Sequence, residues 1–500
     1  MKSLCGLAAT EEHRRANRAW DGPLPAKWFA ISVALLALLT SRPALAQQSP
    51  DKNPQSVTAS SQAPATQLQT GTSVGVDLDA RLQNLLANHQ FFAIESELNR
   101  LPAPEAQFYR GILANRDNDP EASIKLLEPL AGQVTASGDI AHEKELRTAL
   151  AQDYLRLGDW ARAAQAYRTL ESSLHGHLTP GEQDAIEMPL KLLPLAQSDP
   201  PMTVEPCAPF ALQASTNPLG LTDIPVFVDA RPHTWMLDPT SPFDLIALSL
   251  AKEAGLRISD DSATIRTLTG RPIQIRVAVI PRFTIGGRLT LRDMTAFVFN
   301  DADYSFPGAH YQVEGVLGYP ALSAMGSLTI TNEDMIEVQP SRQIDPPGQS
   351  TLPASGARFF LDGDRILVAL GKAGATSGAS AATSADPGEQ IFAVDAAGQQ
   401  TYLTARYYDG HTASFAGQKL QSYALPGQQP SPPQPAYIAE TIPVTVGQTT
   451  IRLHFVPVFT KPLGSASLDD VYGVLGADTL SQLKSYTFDY RTMRFSVRPE

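Results

Sequence analysis

The sequence predicts a multidomain α+β protein in which an α-helical repeat domain precedes two copies of one all-β unit. Three observations point there. Apolar residues from about Asp77 to Gln197 recur at helical spacing, and beyond Pro209 short β-branched runs alternate with turn residues. The β-rich part also repeats itself. Trp235-Met236-Leu237-Asp238, followed by Gly315-Val316-Leu317-Gly318, returns as Phe392-Ala393-Val394-Asp395, followed by Gly473-Val474-Leu475-Gly476. Asp238 and Gly315 stand 77 residues apart, and Asp395 and Gly473 stand 78 apart. Each copy closes alike, with Gly318-Tyr319-Pro320-Ala321-Leu322 before Leu328-Thr329-Ile330, and Gly476-Ala477-Asp478-Thr479-Leu480 before Tyr486-Thr487-Phe488.

A chain of 500 residues exceeds the size at which single cores stop growing, so two or three domains are expected. With 43% hydrophobic and 18% charged residues it can bury a sizeable core. A net charge of −12 argues against nucleic acid as a partner, because no basic surface is present to displace phosphate counterions.

Residues 1–46 resemble an export signal. Arg14, Arg15, Arg18 and Lys27 precede an apolar or small-residue run from Trp28 to Thr40, and Ala44-Leu45-Ala46 is a small-x-small cleavage pattern. The run is shorter than the roughly 20 residues a membrane span needs. The expected location is the periplasm or the exterior after cleavage, the alternative being an uncleaved N-terminal anchor. Removal of Cys5 with the signal leaves Cys207 alone, so no internal disulfide is expected. Residues 47–76, rich in Gln, Ser, Ala, Thr and Pro, read as a disordered linker.

The helical domain is expected over 77–197. Leu78, Leu82, Leu85 and Leu86 set its spacing, followed by Leu150, Tyr154 and Leu157 and by Ala163, Ala164, Tyr167 and Leu170. Ala151, Tyr154, Gly158, Ala163 and Tyr167 place small and aromatic residues on two helices joined by a Gly-Asp turn, and Ala122 and Leu126 suggest an earlier, more divergent pair. The pattern resembles tetratricopeptide repeats. Such arrays hold extended peptides in a concave face, the alternative role being to pack against the domain that follows.

From Asp199 to Pro209 prolines punctuate the crossing into β territory. Strands are expected at Ile273–Ile280 and Leu289–Phe299 around Gly286-Gly287, with counterparts at Ile442–Val446 and Thr450–Phe459 around Gly447-Gln448. A helix is expected from Leu245 to Ala254, stopped by Gly255. Gly371–Gly388 and Pro426–Pro435 read as long loops.

The order of a strand ending in hydrophobic-hydrophobic-Asp, a turn, a hairpin and Gly-hydrophobic-Leu-Gly resembles the retropepsin-like aspartic peptidases. The resemblance covers 210–341 as a first lobe and 359–500 as a second. It implies a pepsin-like pseudodimer within one monomer, a peptide or protein as substrate or ligand, and no cofactor or metal. Asp238 and Asp395 are carried over as the catalytic dyad, with Gly318 and Gly476 as the glycines on which the catalytic turns pack. Two neighbouring carboxylates share one proton. The ionised one takes a proton from water while its mate donates to the peptide carbonyl.

The chain departs from the family's Asp-Thr-Gly, having Asp238-Pro239-Thr240 and Asp395-Ala396-Ala397. Neither Pro239 nor Ala396 supplies the hydroxyl that clamps the two turns across the axis. Thr240 and Ala397 keep an N–H but add a Cβ. Two function classes follow: an aspartic-type endopeptidase, or a catalytically inactive homologue that binds peptides in the cell envelope. In the second, each aspartate merely accepts backbone N–H bonds in a strand-end turn. Ser241 reads as a turn residue rather than a donor to Asp238, and Asp244 as a solvated or helix-capping carboxylate. His233 and His454 lack partners at metal-ligand spacing. The hairpin Phe283-Thr284-Ile285-Gly286-Gly287 is a candidate flap or an ordinary surface hairpin.

Overall fold

The structure, a computed structural model, describes residues 73–266, 272–342, 356–363, 365–372, 390–396, 400–425, 433–463 and 469–499, with backbone alone at 73–77, 180–181, 266 and 372. The expected signal, nearly all of the linker, and the interiors of both expected long loops lie outside the described residues.

Eight helices open the described chain: α1 (Ser73–Ala87), α2 (Phe91–Glu97), α3 (Ala103–Arg116), α4 (Pro120–Leu127), α5 (Ala131–Ser137), α6 (Ile140–Arg156), α7 (Trp160–Ser173) and α8 (Pro180–Ala196). Local chemistry starts and stops them. Asp119, Asp139 and Asp159 accept backbone N–H bonds at the first turns of α4, α6 and α7, and Thr179 and Glu182 form a capping box on α8. Gly158, at φ 66°, ends the α6 turn in the left-handed region that only glycine enters freely. Ala149, Ala151, Ala163 and Ala164 are buried, so α6 and α7 approach closely, while Leu82, Tyr109, Ile112 and Leu127 fill the core. No helix among the described residues is long and apolar enough to cross a membrane.

The first β unit begins with β1 (Phe210–Gln213). It continues through β2 (Thr222–Val228), β3 (Arg231–Leu237), β4 (Leu245–Ala247), β5 (Ala263–Arg266), β6 (Pro272–Ile285), β7 (Leu289–Phe299) and β8 (Gly315–Leu317). Pairing closes six of these into a ring in the order β2-β3-β8-β4-β7-β6 and back to β2. β3–β8 and β4–β7 are parallel, and the other contacts are antiparallel. Trp235, Ile246, Phe283, Leu291 and Val316 are buried in this unit. Covering a side chain of this size stabilises by about 2–3 kcal/mol.

The second unit repeats the connectivity with β11 (Ala357–Asp362), β12 (Arg365–Lys372), β13 (Gln390–Asp395), β14 (Tyr402–Leu403), β15 (Gln421–Tyr423), β16 (Gln434–Val446), β17 (Thr449–Phe459) and β18 (Gly473–Gly476). Its ring runs β12-β13-β18-β14-β17-β16 and back to β12, again with two parallel contacts, β13–β18 and β14–β17. Even the irregularities recur. The β6–β7 register skips at Asp293, φ 54°, and the β16–β17 register skips at Phe455, φ 52°.

Between the rings lie β9 (Ser327–Thr331), β10 (Met335–Gln339), β19 (Ser485–Asp489) and β20 (Arg494–Arg498). They form one antiparallel sheet in the order β1-β10-β9-β19-β20-β11. The order reads the same from either side of the central β9–β19 pair, where Thr329 stands opposite Thr487.

One local expectation is corrected, and one hairpin left with two readings is placed. Leu245-Ile246-Ala247 is a strand, because β7 and β8 supply its hydrogen-bond partners on both edges. The helix α9 (Leu248–Glu253) starts only afterwards and stops at Gly255, φ 66°. The Gly286-Gly287 tip does not stand free as a flap. A Cβ on Gly286 would lie 3.0 Å from Leu212 and 3.1 Å from Phe210, so the tip is held against β1.

Candidate functional site

Each ring carries one of the two aspartates at the same place. In the first, β3 and β8 run parallel with Leu237 opposite Leu317, and the Asp238 N–H donates to Leu317 O at 3.0 Å. In the second, β13 and β18 run parallel with Asp395 opposite Gly476. Asp238 is fully buried. Its Oδ1 accepts from the Thr240 N–H at 3.0 Å and from Thr240 Oγ1 at 2.7 Å, and the Ser241 N–H donates to its carbonyl at 3.2 Å. Asp395 is half-buried.

The two glycines pack where a side chain has no room. A Cβ on Gly318 would lie 2.2 Å from Phe243 O, and one on Gly476 would lie 2.5 Å from the Gln400 carbonyl carbon. Both obstacles are backbone, so neither yields. Each glycine N–H meets a side chain at matching positions: Gly318 donates to Asp244 Oδ1 at 2.8 Å, and Gly476 donates to Thr401 Oγ1 at 2.9 Å. Leu245 pairs with Val316 and Tyr402 with Val474, which makes Asp244 and Thr401 register equivalents.

Asp244 is therefore not solvated. It is 1% exposed, and burial pushes its carboxyl well above the usual range, against the pull of the Gly318 and Ala321 N–H groups. It caps the start of α10 (Tyr319–Met325) rather than its neighbour α9. Ser241 is the turn residue expected: its Oγ donates to Phe243 O at 2.7 Å.

Several residues around the aspartates escape sequence reasoning. Thr240 occupies the family's glycine position, yet its hydroxyl adds a donor to Asp238. Tyr490 follows β19, and its N–H donates to Gly326 O at 2.9 Å; burial raises its phenol, and the charges of Tyr319 and Asp238 add to the rise. Tyr402 is a phenol near Asp395, also raised first by burial and then by that carboxylate. Tyr490 comes from 252 residues beyond Asp238, so no spacing signals it.

Among the described residues, Asp79, Asp139 and His142 form a group of metal-ligating type, with ligand atoms within 4.8 Å of one another. They bond to each other, His142 Nδ1 meeting Asp139 at 2.8 Å and Nε2 meeting Asp79 at 3.2 Å. His233 instead meets Glu314 at 3.1 Å, and His454 meets Thr441 at 3.3 Å.

Each β ring thus presents an aspartate beside a Gly-hydrophobic-Leu-Gly strand. Residues 224–321 match the family model described as aspartyl protease, a span that holds Asp238, Asp244 and Gly318 and leaves the second copy outside. No curated protein matches the chain. Among solved structures, a retropepsin-like aspartic protease from Rickettsia conorii is 14% identical, with 27% of this chain and 92% of that chain covered at a TM-score of 0.20. Basic 7S globulin from soybean is 10% identical, with 59% of this chain and 97% of that chain covered at a TM-score of 0.36.

Proposed function

We propose that the protein is an aspartic-type endopeptidase in which the two β units form a pepsin-like pseudodimer and Asp238 and Asp395 meet as a dyad. The observation that carries this reading is the equivalent register of the two aspartates in rings of identical connectivity, joined by a sheet symmetric about Thr329 and Thr487. On this reading one carboxylate removes a proton from a bound water and the other protonates the peptide carbonyl oxygen. The tetrahedral product then collapses to acid and amine with the proton returned to the nitrogen. Export to the periplasm or the exterior, or retention on an uncleaved anchor, fits an unfolded polypeptide as substrate.

The test is pepstatin-sensitive cleavage of a denatured protein. Asp238→Asn and Asp395→Asn should each abolish it, and unchanged cleavage in both variants removes the dyad from the mechanism. The second reading is a peptide-holding module of the cell envelope that does not hydrolyse. Pro239 and Ala396 support it, because neither has the hydroxyl that would lock two catalytic turns together. Peptide binding that survives both Asn substitutions, with no cleavage in wild type, would select it.

A further inference from the structure

The helical array touches both β units. On the first, Trp160 packs with its ring centroid 6.5 Å from Phe243 and 6.4 Å from Phe297, and Tyr319 donates to Asn118 Oδ1 at 2.6 Å. On the second, Phe91 and Phe92 flank Phe360 at 4.6 and 5.3 Å, and Arg358 pairs with Glu95 at 2.7 Å and with Asp117. His89 meets Asp470 at 3.0 Å, and Arg406 donates to Asn88 at 3.0 Å.

The centre of this contact is the β11–β12 turn. The first helices of the two helical hairpins, α3 and α6, face it together. Arg116 at the end of α3 reaches Asp362 at 3.4 Å while also holding Glu145 of α6 at 3.3 Å, and a Cβ on Gly363 would stand 3.7 Å from Gln152 of α6. Arg116 is 6% exposed. A cation so buried requires partners, and Asp362 of the second β unit shares it with Glu145 of α6. Arg116, Arg365 and His89 together hold the Asp362 carboxyl far below the usual carboxylate range in spite of its burial.

We propose that the ligand of the helical array is this chain's own β11–β12 hairpin. The array is then an intramolecular splint that keeps the two aspartate-bearing rings in one relative orientation. The array meets this hairpin in cis, through an acid that joins its buried arginine. Trp160 and Asn118 grip the elements that flank the Asp238 turn, so the array carries strain from one ring to the other without passing through the central sheet. The splint stands by itself. Its consequence for catalysis rests on the two-aspartate reading: it supplies from outside the lobe alignment that Pro239 and Ala396 do not supply from within.

The experiment is hydrogen exchange on the full-length protein, comparing wild type, Asp362→Arg and Asp362→Asn. A splint predicts about tenfold faster exchange in Asp362→Arg, both in α3 and α6 and in the first-unit segments 238–247 and 315–322. The milder Asp362→Asn should give about threefold in the same segments. Faster exchange confined to α3, α6 and the β11–β12 turn, or unchanged exchange in Asp362→Arg, overturns the proposal. No peptide cleavage enters this readout, so failure of the splint and failure of the two-aspartate reading are told apart.

Discussion

Thr329 and Thr487 face each other across the centre of the inter-ring sheet with their hydroxyl oxygens 2.8 Å apart. They are register equivalents, one from each copy, so a single hydrogen bond marks the local twofold. Removing one partner leaves the other hydroxyl in a largely closed strand pair, at a cost of about 1 kcal/mol. Thr329→Val should lower the melting temperature by about 2 °C. The double variant with Thr487→Val should lose less than the two single variants added together. Calorimetry of the four proteins checks this.

Gly318→Ala and Gly476→Ala should be far more damaging than their single methyl suggests. Each new Cβ would sit within 2.5 Å of backbone that belongs to the neighbouring turn. We expect a loss above about 3 kcal/mol or failure to fold, seen in denaturant unfolding. Ala at Gly410, which has open space around it, serves as the tolerant control.

Thr240 is expected to tune Asp238. Its hydroxyl bonds the carboxylate, and a hydrogen bond to a charged group is worth about 2 kcal/mol. On the endopeptidase reading, Thr240→Ala should reduce kcat/KM by about tenfold and move the acid limb of its pH profile to higher pH. Thr240→Ser should retain both. An unchanged profile in Thr240→Ala would separate the hydroxyl from the chemistry.

Asp153 should make the helical array less stable as pH rises. It is fully buried in α6, accepts from Asn115 at 2.7 Å, and burial pushes its carboxyl up to about 6 despite the opposing charge of Arg156. A raised folded value means that the stabilising state is the protonated one, complete below the ordinary carboxylate range and lost as pH climbs through about 6. Asp153→Asn keeps an acceptor for Asn115 without the ionisation. Its stability relative to wild type should therefore improve by about 2 kcal/mol between pH 4 and pH 7. Parallel unfolding curves at the two pH values would refute this.

Much of the chain was legible because its signals are local or duplicated. Gly158-Asp159 turns the chain between two helices through bonds within its own segment, and Gly286-Gly287 turns a hairpin between strands adjacent in sequence. The near-equal separation of aspartate and glycine in the two halves announced one unit used twice. Other parts were illegible for a common reason. Leu245-Ile246-Ala247 suits a helix as well as a strand, and only the free edges of β7 and β8 settle its state. Asp244 reads as a surface acid until the chain returns 74 residues later to lay Gly318 against it.

By itself, then, the order of residues determined the helical and β-rich halves, the duplicated unit, and which two aspartates and glycines stand at matching points. Periodicity and short-range hydrogen bonding write these into neighbouring positions. Tertiary structure alone decided that Asp244 is buried and that the array closes on its own hairpin through Arg116 and Asp362. Each of these joins groups whose meeting depends on packing and desolvation. Such energies exist only once distant segments have excluded water from between them.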